Sequence, residues 1–335
     1  MVKDIKMIGL LGSGSWATAI VKILLEDKDR VINWWVREPE VIDGLLSDRH
    51  NPLYLREAFI DTDRVHLSSD IRDVVESSSE VYVVIPSAFV NKSMGALPPE
   101  LMQSKYFISA TKGIIPETNQ VVTEYLHSCF GIDHRQMAVC IGPTHAEETA
   151  QERLSYLKIA SPNEAFASKV RMQMKCKYVK TGYSNDMLGL EYSAVLKNIY
   201  AIAVGMAHGL GYGDNLIAVL VTNAIREGSN VCSRLAPNVE REPYATSILG
   251  DMLVTCYSQH SRNRTFGAMI GRGYRVKDAQ LEMNMVAEGY YAVACIEKTR
   301  REIQMDMPIV ETVYKILYEK GNCRRLMRHL LENME

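Results

Sequence analysis

The sequence predicts an α/β protein in two parts. A doubly wound parallel sheet covers roughly residues 1–185, and an all-helical domain covers roughly 186–335. Three observations carry this. Short apolar runs, IKMIGLL (5–11), VINWWV (31–36), VYVVIP (81–86), YFISAT (106–111) and MAVCIG (137–142), alternate with polar, helix-like stretches, the pattern of strands joined by crossover helices. From about Asp186 the apolar runs lengthen to LGLEYSAVLKNIYAIAVGM and NLIAVLVTNAIREGSNVCSRL, too long for strands, with the glycine-rich HGLGYGDN between them. The first strand ends in LLGSGSWAT, where Gly12, Gly14 and Ala17 fit G-x-G-x-x-G/A and open a helix carrying Ala17, Ile20, Val21, Leu24 and Leu25 at helical spacing.

That strand, turn and helix make the sheet part a Rossmann-like dinucleotide-binding domain. The first glycine permits the tight turn, the second lets the backbone approach a pyrophosphate, and the small third residue allows close helix–strand packing. After the second strand the order is Trp35-Val36-Arg37-Glu38. An acid in this region suits the ribose diol of NAD and an arginine suits the 2′-phosphate of NADP, so the cofactor is NAD or NADP. Ligands bind past the carboxyl ends of such strands, which draws attention to Pro86-Ser87, Lys112-Gly113 and Gly142-Pro143-Thr144. Thr144 and Glu147 also fit a T-x-x-E capping box. His145 and His260 have no carboxylate partner visible in the sequence.

Composition narrows the rest. Net charge is −2 with no long run of one sign, which argues against a nucleic-acid or anionic-membrane surface, so an anionic ligand must be small and locally held. Seven cysteines (Cys129, Cys140, Cys176, Cys232, Cys256, Cys295 and Cys323) are scattered without CxxC spacing, which suggests neither a disulfide framework nor a zinc site; no metal is expected. The apolar start MVKDIKMIGLLG is too short for a membrane span and lacks a cleavage pattern, and the expected location is cytoplasmic.

The stretch SAVLKNIYAIAVGM (193–206) places Lys197 and Asn198 in an otherwise apolar helix. A buried ammonium is costly unless it is paired, hydrated or neutralised, so a snorkelling lysine competes with a chemically employed one. The segment SRNR (261–264) sets two guanidiniums around an amide, and arginine's planar fork suits a phosphate.

In their order and spacing, GSGSWATA, NPLYL, VIPSAFV, SATKGI, IGPTHAEE, VLKNIYAIAVGMAHGLGYGDN, GDMLVT, HSRNRTFG and VAEGYYA resemble the NAD(P)-dependent sn-glycerol-3-phosphate dehydrogenases, in their bacterial style. Ala17 stands for the usual third glycine and Ser193 for another glycine of that pattern. The resemblance implies reversible reduction of dihydroxyacetone phosphate, a phosphorylated triose, to sn-glycerol 3-phosphate for glycerophospholipid synthesis. It implies that Gly12, Gly14, Ser15, Trp16 and Arg37 contact the cofactor, with Ala146, Val286 and Glu288 on its nicotinamide or ribose side. Lys112 would bridge cofactor and substrate, and Gly142 and Thr144 would line the substrate site. Lys197 would donate or accept the proton, with Asp251 its polar partner and Asn198 in support. Ser261, Arg262 and Asn263 would hold the substrate, Arg262 at its phosphate. A homodimer is the expected assembly. Two other functions fit the same pattern: a related two-domain reductase of a 3-hydroxy acid or ketopantoate-like substrate, and a non-catalytic dinucleotide sensor.

Overall fold

In the computed structural model, residues 7–237, 239–283 and 287–334 are described. The chain divides into two units: residues 1–111 with 122–187, and residues 112–121 with 188–335. The short excursion 112–121, which the sequence reading left inside the sheet domain, thus belongs with the helices.

The sheet unit is built on eight strands: β1 (Ile8–Leu11), β2 (Ile32–Trp35), β3 (Val65–Ser68), β4 (Glu80–Val83), β5 (Tyr106–Ser109), β8 (Met137–Ile141), β9 (Ser155–Ala160) and β10 (Val179–Ser184). A separate antiparallel pair, β6 (Ile114–Ile115) and β7 (Gln120–Val121), forms in the excursion. The sheet order is β10-β9-β8-β5-β4-β1-β2-β3, and every neighbouring pair is parallel except β8 and β9. From β1 the chain winds one way through β2 and β3, then returns to lay β4 on the other side of β1. The switch point, where open α/β sheets bind their ligands, therefore lies between β1 and β4, directly at the glycine turn. The central strands β1, β2 and β4 are buried throughout, as expected for a parallel sheet covered on both faces. Leu10, Ile20, Trp34, Tyr82 and Ile108 make the heart of this core.

The helical unit is organised around the helix Met187–Gly209. A second long helix, Asp214–Leu235, follows, and Tyr200, Ile202, Leu220, Phe266, Ile296 and Val310 share one core with Ile114 and Val121 of the excursion. The helix Arg262–Gly271 lies tightly against Met187–Gly209. A Cβ on Gly267 would stand 2.1 Å from the Ile202 carbonyl oxygen, and one on Gly205 would stand 2.1 Å from that of Arg264. Only hydrogen at both positions permits this backbone-to-backbone approach, which fixes where the Lys197 helix runs against the segment holding Arg262. Among the described residues, no helix is long and apolar enough to cross a membrane.

Candidate active site

In the sheet unit, Gly12 directly follows β1 at φ +129°, a backbone that side chains rarely adopt, and a Cβ there would meet the Val84 carbonyl oxygen at 2.6 Å. The buried Trp34 indole donates to the Gly12 carbonyl at 2.6 Å. The next residue is fixed by Asn51 of the NPLYL stretch. Its fully buried amide donates to the Ser13 carbonyl and to Thr18 Oγ1, both at 2.9 Å, and its oxygen accepts from the backbone of Leu53 and Tyr54. The helix Ser15–Leu24 then begins from Gly14 with no side-chain cap, and a Cβ on Gly14 would have no atom within 4 Å. Open space beside uncapped first-turn amides suits the pyrophosphate of a dinucleotide, so these residues fit the cofactor. Ser15 and Trp16 are the first two residues of that helix.

Beyond β2, Arg37 donates to Glu38 at 2.6 Å and the Ser13 hydroxyl donates to the same carboxylate at 2.5 Å. Arg37, expected at the cofactor, is thus already ion-paired. Burial pulls the Glu38 carboxyl upward, but the Ser13 and Arg37 bonds prevail and hold it below its usual range. Gly142 and Thr144 follow β8, and Ala146 opens the short helix Ala146–Ala150. The expected capping box does not form. The N-cap is His145, one residue later than the T-x-x-E pattern placed it, and the Thr144 hydroxyl donates instead to the Gly142 carbonyl at 3.2 Å.

The helical unit brings Lys112, Lys197, Asn198 and Asp251 together. One turn of π-helix, Thr246–Gly250, delivers Asp251 to the start of the helix Asp251–Tyr257. Lys197 is 5% exposed and Asp251 2%. The Lys197 ammonium donates to Asp251 Oδ1 at 2.6 Å and to Thr255 Oγ1 at 2.8 Å. Thr255, one helical turn beyond Asp251, donates its own proton to the Asp251 carbonyl at 2.6 Å. Lys112 Nζ approaches the other carboxylate oxygen, Oδ2, at 3.5 Å, and the Asn198 amide holds the Lys112 carbonyl at 2.8 Å. One buried carboxylate therefore sits between two ammonium groups. Burial, opposed by Asp251 and reinforced by Lys112, pushes the Lys197 ammonium down to about 8. The lysine does not snorkel, and it can exchange a proton near neutral pH. Thr255 was not foreseen, although its i+4 spacing from Asp251 was a readable signal.

The SRNR residues have structural employment as well. Ser261 caps the helix Arg262–Gly271, accepting from the Arg264 backbone at 3.3 Å, and the Asn263 oxygen accepts from the Gly289 backbone at 3.0 Å. Arg262 is half-buried at the first position of that helix. Glu288 opens the helix Glu288–Ile303, and Val286 lies outside the described residues. Among the described residues, no three His, Cys, Asp or Glu side chains form a group that could hold a metal ion.

A dinucleotide-type glycine turn in the sheet unit and a buried lysine–carboxylate pair in the helical unit are compatible with an oxidoreductase that uses a nicotinamide cofactor. Comparison with known proteins makes the class specific. Residues 7–167 match the model of the NAD-dependent glycerol-3-phosphate dehydrogenase N-terminus, and residues 186–328 that of its C-terminus. The glycerol-3-phosphate dehydrogenase [NAD(P)+] of Chlorobium limicola is 34% identical over 317 residues, covering 93% of each chain. A Salinibacter ruber enzyme of the same name is 34% identical over 97% of this chain and 94% of its own. The crystal structure of glycerol-3-phosphate dehydrogenase from Coxiella burnetii superposes with a TM-score of 0.89 at 26% identity, over 98% of this chain and 99% of that one. The chain belongs to the NAD-dependent glycerol-3-phosphate dehydrogenase family. A ketopantoate reductase from Ralstonia eutropha shares the fold alone, at a TM-score of 0.61 and 13% identity.

Proposed function

We propose that the protein reversibly reduces dihydroxyacetone phosphate to sn-glycerol 3-phosphate with NADH or NADPH, supplying glycerophospholipid synthesis. In this reading the sheet part, about 1–185, holds the cofactor, and the helical part, about 186–335, holds the substrate. The observation that carries it is the buried Lys197–Asp251–Thr255 cluster with Lys112 on the second carboxylate oxygen.

When bound, the nicotinamide supplies a hydride to the carbonyl carbon. The carbonyl oxygen gains negative charge and needs a proton, which the Lys197 ammonium gives, leaving a neutral amine that water reprotonates. In the reverse direction the neutral amine takes the hydroxyl proton. Asp251 and Thr255 direct the ammonium, and Lys112 adds positive charge that favours the developing alkoxide. Arg262 takes the phosphate, with Ser261 and Asn263 shaping its surroundings. Gly12, Gly14, Ser15 and Trp16 seat the pyrophosphate, while Ala146, Glu288 and Val286 serve the nicotinamide end. Gly142 and Thr144 line the substrate site, and Asn198 keeps Lys112 in place. No step needs a metal. All seven cysteines are free thiols, which supports a reducing, cytoplasmic setting; the assembly proposed is a homodimer.

The test follows NADH and NADPH oxidation separately with dihydroxyacetone phosphate, dihydroxyacetone and a short 2-keto acid. Turnover should appear with the phosphorylated triose. Preference for the keto acid would replace this reading with the ketopantoate-like one, and cofactor binding without turnover of any of them would leave a sensor.

A further inference from the structure

We propose that the closed loop 51–58 sets the reach of the cofactor site within the sheet unit, Asn51 aiming the amides that meet the pyrophosphate and Leu55 holding the helix Ala146–Ala150 that serves the nicotinamide. The proposal rests on the cofactor reading above and gives both residues a positioning role.

Asn51 acts on the turn through its side-chain amide. One donor goes to the Ser13 carbonyl and one to Thr18 Oγ1, and Thr18 in turn donates to the Gly14 carbonyl at 3.1 Å. A peptide unit is planar, with its C=O and N–H pointing opposite ways, so tying these two carbonyls aims the amides of Gly14 and Ser15 in the other direction. Those amides belong to the turn that seats the pyrophosphate. The Asn51 oxygen accepts from Leu53 and Tyr54, so all four hydrogen-bonding positions of the side chain are used. Asn51 and Thr18 are both fully buried, where water does not compete for these bonds.

The same loop reaches the other end. Its base is closed by the Ile60 amide, which donates to the Arg49 carbonyl at 2.9 Å, and by a bridge between His50 and Phe59. Compact loops with adjacent ends and internal packing are frequently functional. Leu55 stands at φ +60°, a left-handed backbone that costs a leucine energy and persists only where its surroundings enforce it. The enforcement is on both sides: Asn51 holds the two preceding amides, and the Leu55 carbonyl accepts from Ala58 at 2.9 Å. This conformation buries the Leu55 side chain in a small cluster with Ala58, with Trp16 and Ala19 of the helix after the glycine turn, and with Ala146 and Ala150. The other members being alanines, Leu55 and Trp16 supply the bulk on which the spacing of the two helices depends.

Calorimetric titration of the purified protein with ADP-ribose and with NADH separates the two anchors, because ADP-ribose carries the pyrophosphate without the nicotinamide. Asn51→Ala should weaken ADP-ribose about tenfold or more, the worth of a charge-assisted bond, and NADH at least as much. Thr18→Val keeps the side chain's shape and the loop's own bonds but unties the Gly14 carbonyl; it should weaken both ligands by one common factor, about threefold or more. Leu55→Gly should leave ADP-ribose affinity unchanged and weaken NADH about three- to tenfold. Glycine adopts φ +60° freely, so this variant relieves the backbone and stays folded, and a general loss of stability would not move one ligand without the other. Unchanged ADP-ribose affinity in either Asn51→Ala or Thr18→Val, or a Leu55→Gly variant that keeps the wild-type ratio of the two affinities, would overturn the proposal and leave the dehydrogenase reading intact. A wild-type protein that binds neither ligand would overturn the cofactor reading with it.

Discussion

Asp251→Asn isolates the charge that holds the Lys197 proton. The substitution keeps the shape of the side chain and a carbonyl oxygen for the ammonium, but removes the anion lying 2.6 Å from Lys197 and 3.5 Å from Lys112. At contact distance with an effective dielectric of about 20, a unit charge pair is worth on the order of 4 kcal/mol, equivalent to about 3 pH units. Burial and the Lys112 charge, which both lower the lysine, would then act with little opposition. Lys197 should fall from about 8 by roughly two to three units, since the retained amide oxygen offsets part of the loss. At pH 7 only about 1–10% of the variant's lysine would carry its proton.

Ketone reduction needs that proton, so kcat at pH 7 should drop about ten- to hundredfold in proportion to the protonated fraction. The falling limb of the pH profile should move from about 8 into the range of about 5 to 6, and the variant should regain rate as the pH is lowered. Measuring kcat for NADH oxidation with saturating dihydroxyacetone phosphate from pH 5 to 9.5, with NADH affinity as the check on folding, gives the answer. A limb that stays near 8 in the variant, or a deficit of equal size at every pH, would show that Asp251 does not set the Lys197 proton affinity.

Three other variants test the same geometry. Lys197→Met should lower turnover by about 10²–10⁴-fold while NADH affinity survives. Because the folded-state value of about 8 lies below the ordinary 10.5, the unfolded chain binds more protons between these pH values, so wild-type stability should rise across that window by about 3 kcal/mol; denaturant titrations at pH 7.5 and 10.5 should show this rise lost in Lys197→Met. Arg262→Ala should raise the Michaelis constant for dihydroxyacetone phosphate about tenfold or more without changing NADH affinity, and unaltered discrimination against dihydroxyacetone would remove Arg262 from the phosphate. Gly267→Ala places a methyl 2.1 Å from the Ile202 carbonyl oxygen, so the two helices must separate; a loss of about 1–3 kcal/mol in stability is expected, and an unchanged thermal midpoint would mean that this contact is not what fixes the helix pair.

The features legible in the sequence were those with a strong local signature. The glycine turn announced itself by residue type and context, and the helices Met187–Gly209 and Asp214–Leu235 by apolar length. Lys197 stood out as a charge in an apolar run, and the buried ion pair explains its presence there. Strands β3, β9 and β10 went unread because VHLS, SYLKIA and VKTGYS are polar or partly exposed. Two of them form the edges of the sheet, where solvent relaxes the demand for apolar residues. Thr144 misled because T-x-x-E describes a spacing, whereas the cap depends on which residue leaves the extended conformation. Glu38 was visible beside Arg37, but its bond to Ser13 joins residues 25 apart and exists only once β1 and β2 pair.

Lys112 marks the limit most clearly. By position it follows β5, three residues beyond its last residue, and nothing local separates it from the sheet. Its membership of the helical unit is decided by partners far along the chain. Asn198 holds its carbonyl, Asp251 attracts its ammonium, and Ile114 and Val121 of the following hairpin are buried among the helices. At the hairpin's tip Asn119, in the left-handed region at φ +58°, donates to Thr299 at 3.0 Å. Ten residues with three apolar side chains among Pro, Gly and polar groups have no period that names the core they will join. The choice is made by the surface available when the helices have assembled, and it makes Lys112 a property of the tertiary fold, although the chain places it at the end of a strand.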